Sequence, residues 1–262
     1  MVTFVKLGGS LITEKRTPNT FRADAAARAA QELSSALAEH PNLKLLIGHG
    51  SGSFGHVAAK KYGTIHGVRS REQWHGFVEV AAAAAELNEL MAKTLRAQGL
   101  PILRFQPSAS ARCRDGELIV MAVEPIRAAL DNGLLPLVYG DVALDEVRGG
   151  TIISTETIFF YLARHLPVKR ILLLGEVEGV LDTDGSLIPL ITPLNLGEVE
   201  QALGGSAGTD VTGGMETKVR EMIALARLVP GLRIRIISGL IAGNLERALK
   251  DPDAALGTLI TA

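Results

Sequence analysis

The chain has 262 residues, 47% of them hydrophobic, with 28 glycines and a formal net charge of −1. That length holds one large or two modest domains with a full core, and the composition excludes both a disordered chain and a fibrous one. With 27 basic residues against 28 acidic ones and no long block of either sign, attraction to nucleic acid or to an anionic membrane is not expected, so any anion site is local.

Cys113 is the single cysteine, which excludes an intramolecular disulfide and a multi-cysteine metal site and fits a reducing cytoplasm. The start of the chain lacks the pattern of an export leader. The most apolar windows, 78–85 and 171–174, are far shorter than the roughly 20 residues a membrane-spanning helix needs.

The first predicted element is a strand over 2–7. A helix over 24–39 follows, with Asp24 as its cap and Ala26, Ala30, Leu33 and Leu37 on one stripe. Next come a strand over 43–47 and a glycine-rich loop over 48–56, with a helix starting within or just after it. A long, alanine-rich helix places Phe77, Val80, Ala84, Leu87, Met91 and Leu95 on one stripe and stops at Gly99, before Pro101. Strands are then predicted over 101–105, 134–139, 170–174 and 233–237, and helices over 123–132, 155–165, 195–203, 215–228 and 242–249. Asn195 and Glu198 are spaced as a capping box, and 182–186 reads as a hairpin turn.

The strands are nearly continuous apolar runs, the pattern of parallel strands covered on both faces. Alternation with helices predicts an α/β protein, a three-layer αβα sandwich around a mostly parallel central sheet. Composition does not shift along the chain, so the expected division is two lobes, 1–166 and 167–262, sharing one continuous sheet.

Three glycine-rich loops carry the chemistry. Lys6-Leu7-Gly8-Gly9-Ser10 ends the first strand with a point charge and a tight turn open to an anion. In the second, Gly48-His49-Gly50-Ser51-Gly52-Ser53-Phe54-Gly55-His56, alternate glycines make a concave surface of backbone N–H donors. The third, Asp210 to Lys218, sets Gly213 and Gly214 ahead of a helix whose first turn carries Lys218. Singly, each is only a turn; together they point to polyphosphate. The first two match neither the phosphate-loop NTPase pattern nor the dinucleotide pattern.

These loops, with Tyr139-Gly140-Asp141, resemble the amino acid kinase superfamily over residues 5 to about 238, and His56 resembles the mark of its isopentenyl phosphate kinases. The resemblance implies that ATP phosphorylates isopentenyl phosphate to isopentenyl diphosphate, with magnesium, in isoprenoid biosynthesis, in a cytoplasmic homodimer. It implies a prenyl phosphate site in 1–166 and an ATP site in 167–262. Lys6 would contact the transferring phosphoryl group, Lys15 stabilise the transition state and Lys218 hold the ATP phosphates. Gly50, Ser51, Gly55, His56 and Thr155 would bind the acceptor. Gly8, Gly9, Ser10, Gly52, Glu176, Gly179 and Gly214 would join Lys6 and Lys218 around ATP.

Two departures stand out. Ser154-Thr155-Glu156-Thr157 replaces a frequent Ser-Gly-Asp-Asp type of sequence, so Glu156 keeps the charge that organises the lysines but reaches further, and Thr155 stands for a glycine; Ser51 also stands for a common glycine. No metal-binding carboxylate pair is assignable, and magnesium is expected on ATP oxygens and water. Trp74, Phe77, Val80 and Ala84 are expected to shape an apolar slot for the hydrocarbon tail. The rival readings are a fosfomycin-type or other kinase of the superfamily and a non-catalytic nucleotide sensor on the same fold.

Overall fold

The computed structural model describes residues 1–14, 16–204 and 214–262, with the backbone alone for residues 56, 57 and 204. In chain order the elements are β1 (Val2–Leu7), α1 (Gly9–Ile12), α2 (Ala23–Glu39), β2 (Lys44–His49), α3 (Gly52–Tyr62), α4 (Arg71–Ala97), β3 (Ile102–Arg104), β4 (Arg112–Arg114), β5 (Glu117–Val120), α5 (Glu124–Asp131) and β6 (Leu135–Tyr139). Then follow β7 (Asp141–Asp145), β8 (Gly149–Ile153), α6 (Thr155–Ala163), β9 (Val168–Gly175), β10 (Leu190–Ile191), α7 (Leu196–Gly204), α8 (Gly214–Leu228), β11 (Arg233–Ser238), α9 (Asn244–Lys250) and β12 (Thr258–Ile260).

Among the described residues eight strands form the main sheet in the order β10-β12-β11-β9-β1-β2-β6-β3, and of their pairings only β11 with β12 is antiparallel. The strand period of two divides the core between the faces. Phe4, Leu46, Ile171 and Leu173 point to one side, where they meet Ile126 of α5, Phe159 of α6, Val199 of α7 and Met222 of α8. Val5, Leu7, Ile47 and Leu172 point to the other, against Leu33 of α2, Leu87 and Met91 of α4 and Leu245 of α9. At roughly 1.5–3 kcal/mol per large apolar side chain buried, these two clusters hold the layers together. The predicted three-layer sandwich is therefore the observed one.

Some local expectations need correction. Asp24 is not the cap of α2; the cap position is Arg22, and Asp24 lies in the first turn, where its charge favours the positive helix end. The long helix begins earlier than its apolar stripe, at Arg71, because Ser70 and Gln73 form a capping box. The hairpin turn at 182–186 is present, with the Asp182 N–H donating to the Ser186 carbonyl (2.8 Å).

A second, four-stranded sheet, β5-β4-β7-β8, was not expected. Asp145 stitches it: the carboxylate accepts backbone N–H groups from Asp115, Gly116, Val147 and Arg148 at 2.7–3.1 Å. Burial pushes its pKa up most strongly, but the four donors outweigh it and hold the carboxyl below the usual range. This sheet packs its β7 against α4.

Candidate active site

Because β1, β2, β6, β9 and β11 run parallel, their C-terminal ends lie along one edge. The chain proceeds outward from β1 to β2 in one direction and from β9 to β11 in the other, so the order reverses between β1 and β9, where open α/β sheets bind ligands. The turn after β1, the loop after β2 and the 176–179 segment after β9 all open there.

The first two loops are interlocked. A Cβ on Gly8 would lie 2.6 Å from the Leu174 carbonyl oxygen, one on Gly9 2.5 Å from the Gly52 nitrogen, and one on Gly50 2.8 Å from the Gly9 nitrogen. Gly52 has φ +49° and would also strike Thr13. Thr13 Oγ1 donates to the Gly9 carbonyl (2.8 Å) and accepts the Ser53 N–H (3.0 Å), pinning turn to loop. Ser51 stands at the N-cap position of α3 without a side-chain capping bond, and Gly55 follows in its first turn. The predicted ATP-side residues Gly8, Gly9, Ser10 and Gly52 and the predicted acceptor-side residues Gly50, Ser51 and Gly55 thus share one wall.

Behind that wall Lys6 Nζ forms an ion pair and hydrogen bond with Glu156, both side chains nearly buried at 11% and 13% exposure. Burial, the largest influence, raises the Glu156 pKa; the charges of Lys6 and Lys218 and the Lys6 hydrogen bond overcome it and keep the carboxyl below its ordinary value. Lys6, Glu156 and Lys218 are therefore one electrostatic unit, although they come from β1, α6 and α8. Glu156 is presented by the N-terminal turn of α6, capped by Ser154, whose Oγ accepts the Thr157 N–H (3.0 Å). Thr155 is buried, and its hydroxyl donates to the His49 carbonyl (2.6 Å).

Lys15 and residues 205–213 lie outside the described residues, as does the His56 side chain, whose backbone stands near the start of α3. Gly214 opens α8 with φ +69°. Glu176 meets Arg22 at 3.4 Å, and the same guanidinium donates to the Ser10 carbonyl (3.4 Å). Gly179 packs tightly against Thr258 and Leu187.

Three residues near the site escape the sequence patterns. Glu221, three positions beyond Lys218 on α8, is raised in pKa by desolvation and then by Glu156, against Lys6 and Lys218, while its side chain keeps contact with solvent; the i, i+3 spacing was the available signal. Arg22 carries no pattern. Asn88 is buried on α4 and meets His49. His49 itself is fully buried: Nδ1 stands 3.0 Å from the Gly50 carbonyl oxygen, Nε2 stands 3.1 Å from Asn88 Nδ2, and the ring stacks on Tyr139. Burial drives its pKa down to about 4, with Lys6 pushing the same way against the Gly50 hydrogen bond.

On α4 the apolar stripe divides. Leu87, Met91 and Leu95 belong to the core under the main sheet, whereas Val80 and Ala84 are buried outside that cluster. Trp74 and Phe77 meet edge to face at 5.3 Å, and the missing side chain of Gly150 lets the Phe77 ring lie against β8. Among the described residues, no three His, Cys, Asp or Glu side chains gather as a metal-binding group.

The model of the amino acid kinase family matches residues 1–238. The chain is 33% identical over 255 residues to the isopentenyl phosphate kinase of Methanocaldococcus jannaschii, covering 95% of each. It is 37% identical over 244 residues to that of Haloferax volcanii, covering 92% of this chain and 94% of the other. A solved structure described as an isopentenyl phosphate kinase superposes with a TM-score of 0.84 and 30% identity over 100% of both chains. A lysine and carboxylate locked behind paired glycine turns, on a sheet of this order and with a family match over most of its length, leave one conclusion: the chain belongs to the amino acid kinase family.

Proposed function

We propose that this protein transfers the γ-phosphoryl group of ATP to isopentenyl phosphate, giving isopentenyl diphosphate and ADP in isoprenoid biosynthesis. The observation that carries this reading is the nearly buried Lys6–Glu156 pair, in the field of Lys218, beside two interlocked glycine loops. A phosphate monoester is largely ionised at neutral pH, so its oxygen can attack without a general base. One P–O bond forms, the bond to ADP breaks, and the ADP oxygen keeps the electron pair. The difficulty is repulsion between two anions, and cations and N–H donors fixed in advance lower it.

In this reading the 1–166 lobe holds the acceptor through Gly50, Ser51, Gly55, His56 and Thr155. The 167–262 lobe holds ATP through Glu176, Gly179, Gly214 and Lys218, with Lys6, Gly8, Gly9, Ser10 and Gly52 at the junction. Lys15 stabilises the transition state, and Glu156 keeps the lysines in register. Magnesium, carried on ATP oxygens and water, would supply further neutralisation of the phosphate charge. The protein works in the cytoplasm as a homodimer; among the described residues no helix is long and apolar enough to cross a membrane.

The test is ADP release with isopentenyl phosphate, dimethylallyl phosphate, fosfomycin and glutamate side by side, on protein whose light-scattering mass is expected near twice 27.8 kDa. Turnover should be greatest with isopentenyl phosphate. His56→Ala should lower that turnover about 100-fold or more, the scale of losing a charge-assisted contact to the reacting group, and leave ATP binding nearly intact. Preference for fosfomycin or glutamate, or full activity in His56→Ala, would refute the assignment.

A further inference from the structure

We propose that His49 is a positioning residue that aims the Ser51 N–H at the acceptor phosphate, and that Asn88 selects the imidazole tautomer able to do so. The inference rests on the acceptor site proposed above. It starts from donor and acceptor inventories. The Gly50 carbonyl can only accept, so the His49 nitrogen facing it at 3.0 Å, Nδ1, carries the proton. A neutral ring then has a bare lone pair at Nε2, and the group 3.1 Å away must donate, as the Asn88 amide does. Asn88 is 2% exposed and His49 1%, so water does not compete for either bond.

The ring is held on every side. The carbonyl of His49 accepts the Thr155 hydroxyl (2.6 Å) and the Gly140 N–H (3.2 Å), fixing the backbone from which the side chain springs. Its face lies parallel to Tyr139, 6° between the planes and 5.6 Å between centroids. Of the charged groups around it, Lys6 on β1 is near enough to oppose protonation.

The consequence follows from peptide geometry. The Gly50–Ser51 bond is trans, so the Gly50 oxygen and the Ser51 hydrogen point in opposite directions from one rigid plane. The Gly50 N–H, in the preceding peptide plane, is tied to the Leu7 carbonyl (3.0 Å), which anchors the chain on the other side of Gly50 and leaves the imidazole to hold the Gly50–Ser51 plane. Drawing the oxygen down to the buried imidazole therefore turns the Ser51 N–H outward, to the side of the loop away from the ring. Asn88 stands one helical turn beyond Ala84 on α4, so the same bond ties the phosphate loop to the helix expected to hold the hydrocarbon tail.

Two measurements decide it. In wild-type protein with ring-labelled histidine, nitrogen NMR at pH 7 should show His49 neutral, protonated at Nδ1 and bare at Nε2; the opposite tautomer overturns the proposal, whatever the acceptor and whatever becomes of the variants. For kinetics, His49→Gln removes the donor facing Gly50 while keeping a polar end toward Asn88, and His49→Asn keeps a donor at the position of Nδ1. A misaimed hydrogen bond to a charged group is worth at least about tenfold in KM for isopentenyl phosphate. That rise is expected in His49→Gln, with KM for ATP within about twofold of wild type, and His49→Asn should recover most of the loss. Equal losses in both variants, or parallel rises for ATP and acceptor, would show a merely structural histidine. A wild-type enzyme with no turnover of isopentenyl phosphate would instead count against the proposed function, with the tautomer still on record.

Discussion

Glu156 has more to neutralise than any other described side chain at the site. A carboxylate and an ammonium largely withdrawn from water each cost several kcal/mol unless they find one another, and here Lys6 and Lys218 both act on Glu156, with Glu221 in the same field. Glu156→Gln keeps the shape and removes the charge, leaving two cations to repel. The expected loss is about 3 kcal/mol of stability and about 100-fold or more in turnover, read by urea denaturation and ADP release. Lost stability with unchanged turnover would make the pair a structural prop. His49 gives a second expectation. The unfolded chain accepts its proton at about 6.5 and the folded one only at about 4, so its neutral form contributes fully above pH 6.5. That contribution drains away as pH falls, roughly 3 kcal/mol in all by pH 4. Urea midpoints between pH 7.5 and 4.5 should fall less steeply in His49→Asn, and parallel curves would exclude His49 as the source. At this scale Lys6 and the abutting glycine turns are legible in the sequence because strand-end charge and turn chemistry are local. The sequence hides the Asn88–His49 bond, which joins residues 39 apart, and the pairing of Arg22 with Glu176, 154 residues away.

Among the elements, α4 serves two masters. Its C-terminal stripe anchors the main sheet, and its N-terminal part, with Val80 and Ala84 buried, begins where Trp74 and Phe77 meet the small sheet at Gly149 and Gly150. If that N-terminal stretch lines the tail slot, Val80→Trp should shorten the accepted chain: activity with longer prenyl phosphates should fall about tenfold relative to isopentenyl phosphate, since overpacking costs about 1–3 kcal/mol. An unchanged ratio in a folded variant would place the slot elsewhere. The helix itself was legible from its 3.6-residue period. The small sheet was not, because its strands have 3–5 residues and include charged ends such as Arg112 and Arg114; they are held by Asp145 and its turns more than by any apolar run.

For the molecule as a whole, β1 matters most. It is paired along its length with β2 on one side and β9 on the other, so the sheet passes without a seam from the residues before 166 to those after 167. Both apolar clusters use strands from each part. Calorimetry should therefore give a single unfolding transition with matching van't Hoff and calorimetric enthalpies, and two resolved transitions would show that the lobes fold apart. The parallel, doubly covered sheet was readable because its strands are apolar on both faces. The order of those strands was not, since pairing is decided by contacts between distant segments.

The abutting turns at Gly9, Gly50 and Gly52 set a limit on how this protein can be remade. Main chain touches main chain there, so the spacing between the turn after β1 and the loop after β2 is fixed by the radii of backbone atoms and no substitution can fine-tune it. A laboratory library selected for new acceptors should collect its changes along the N-terminal part of α4 and the adjoining small sheet, and return those glycines untouched.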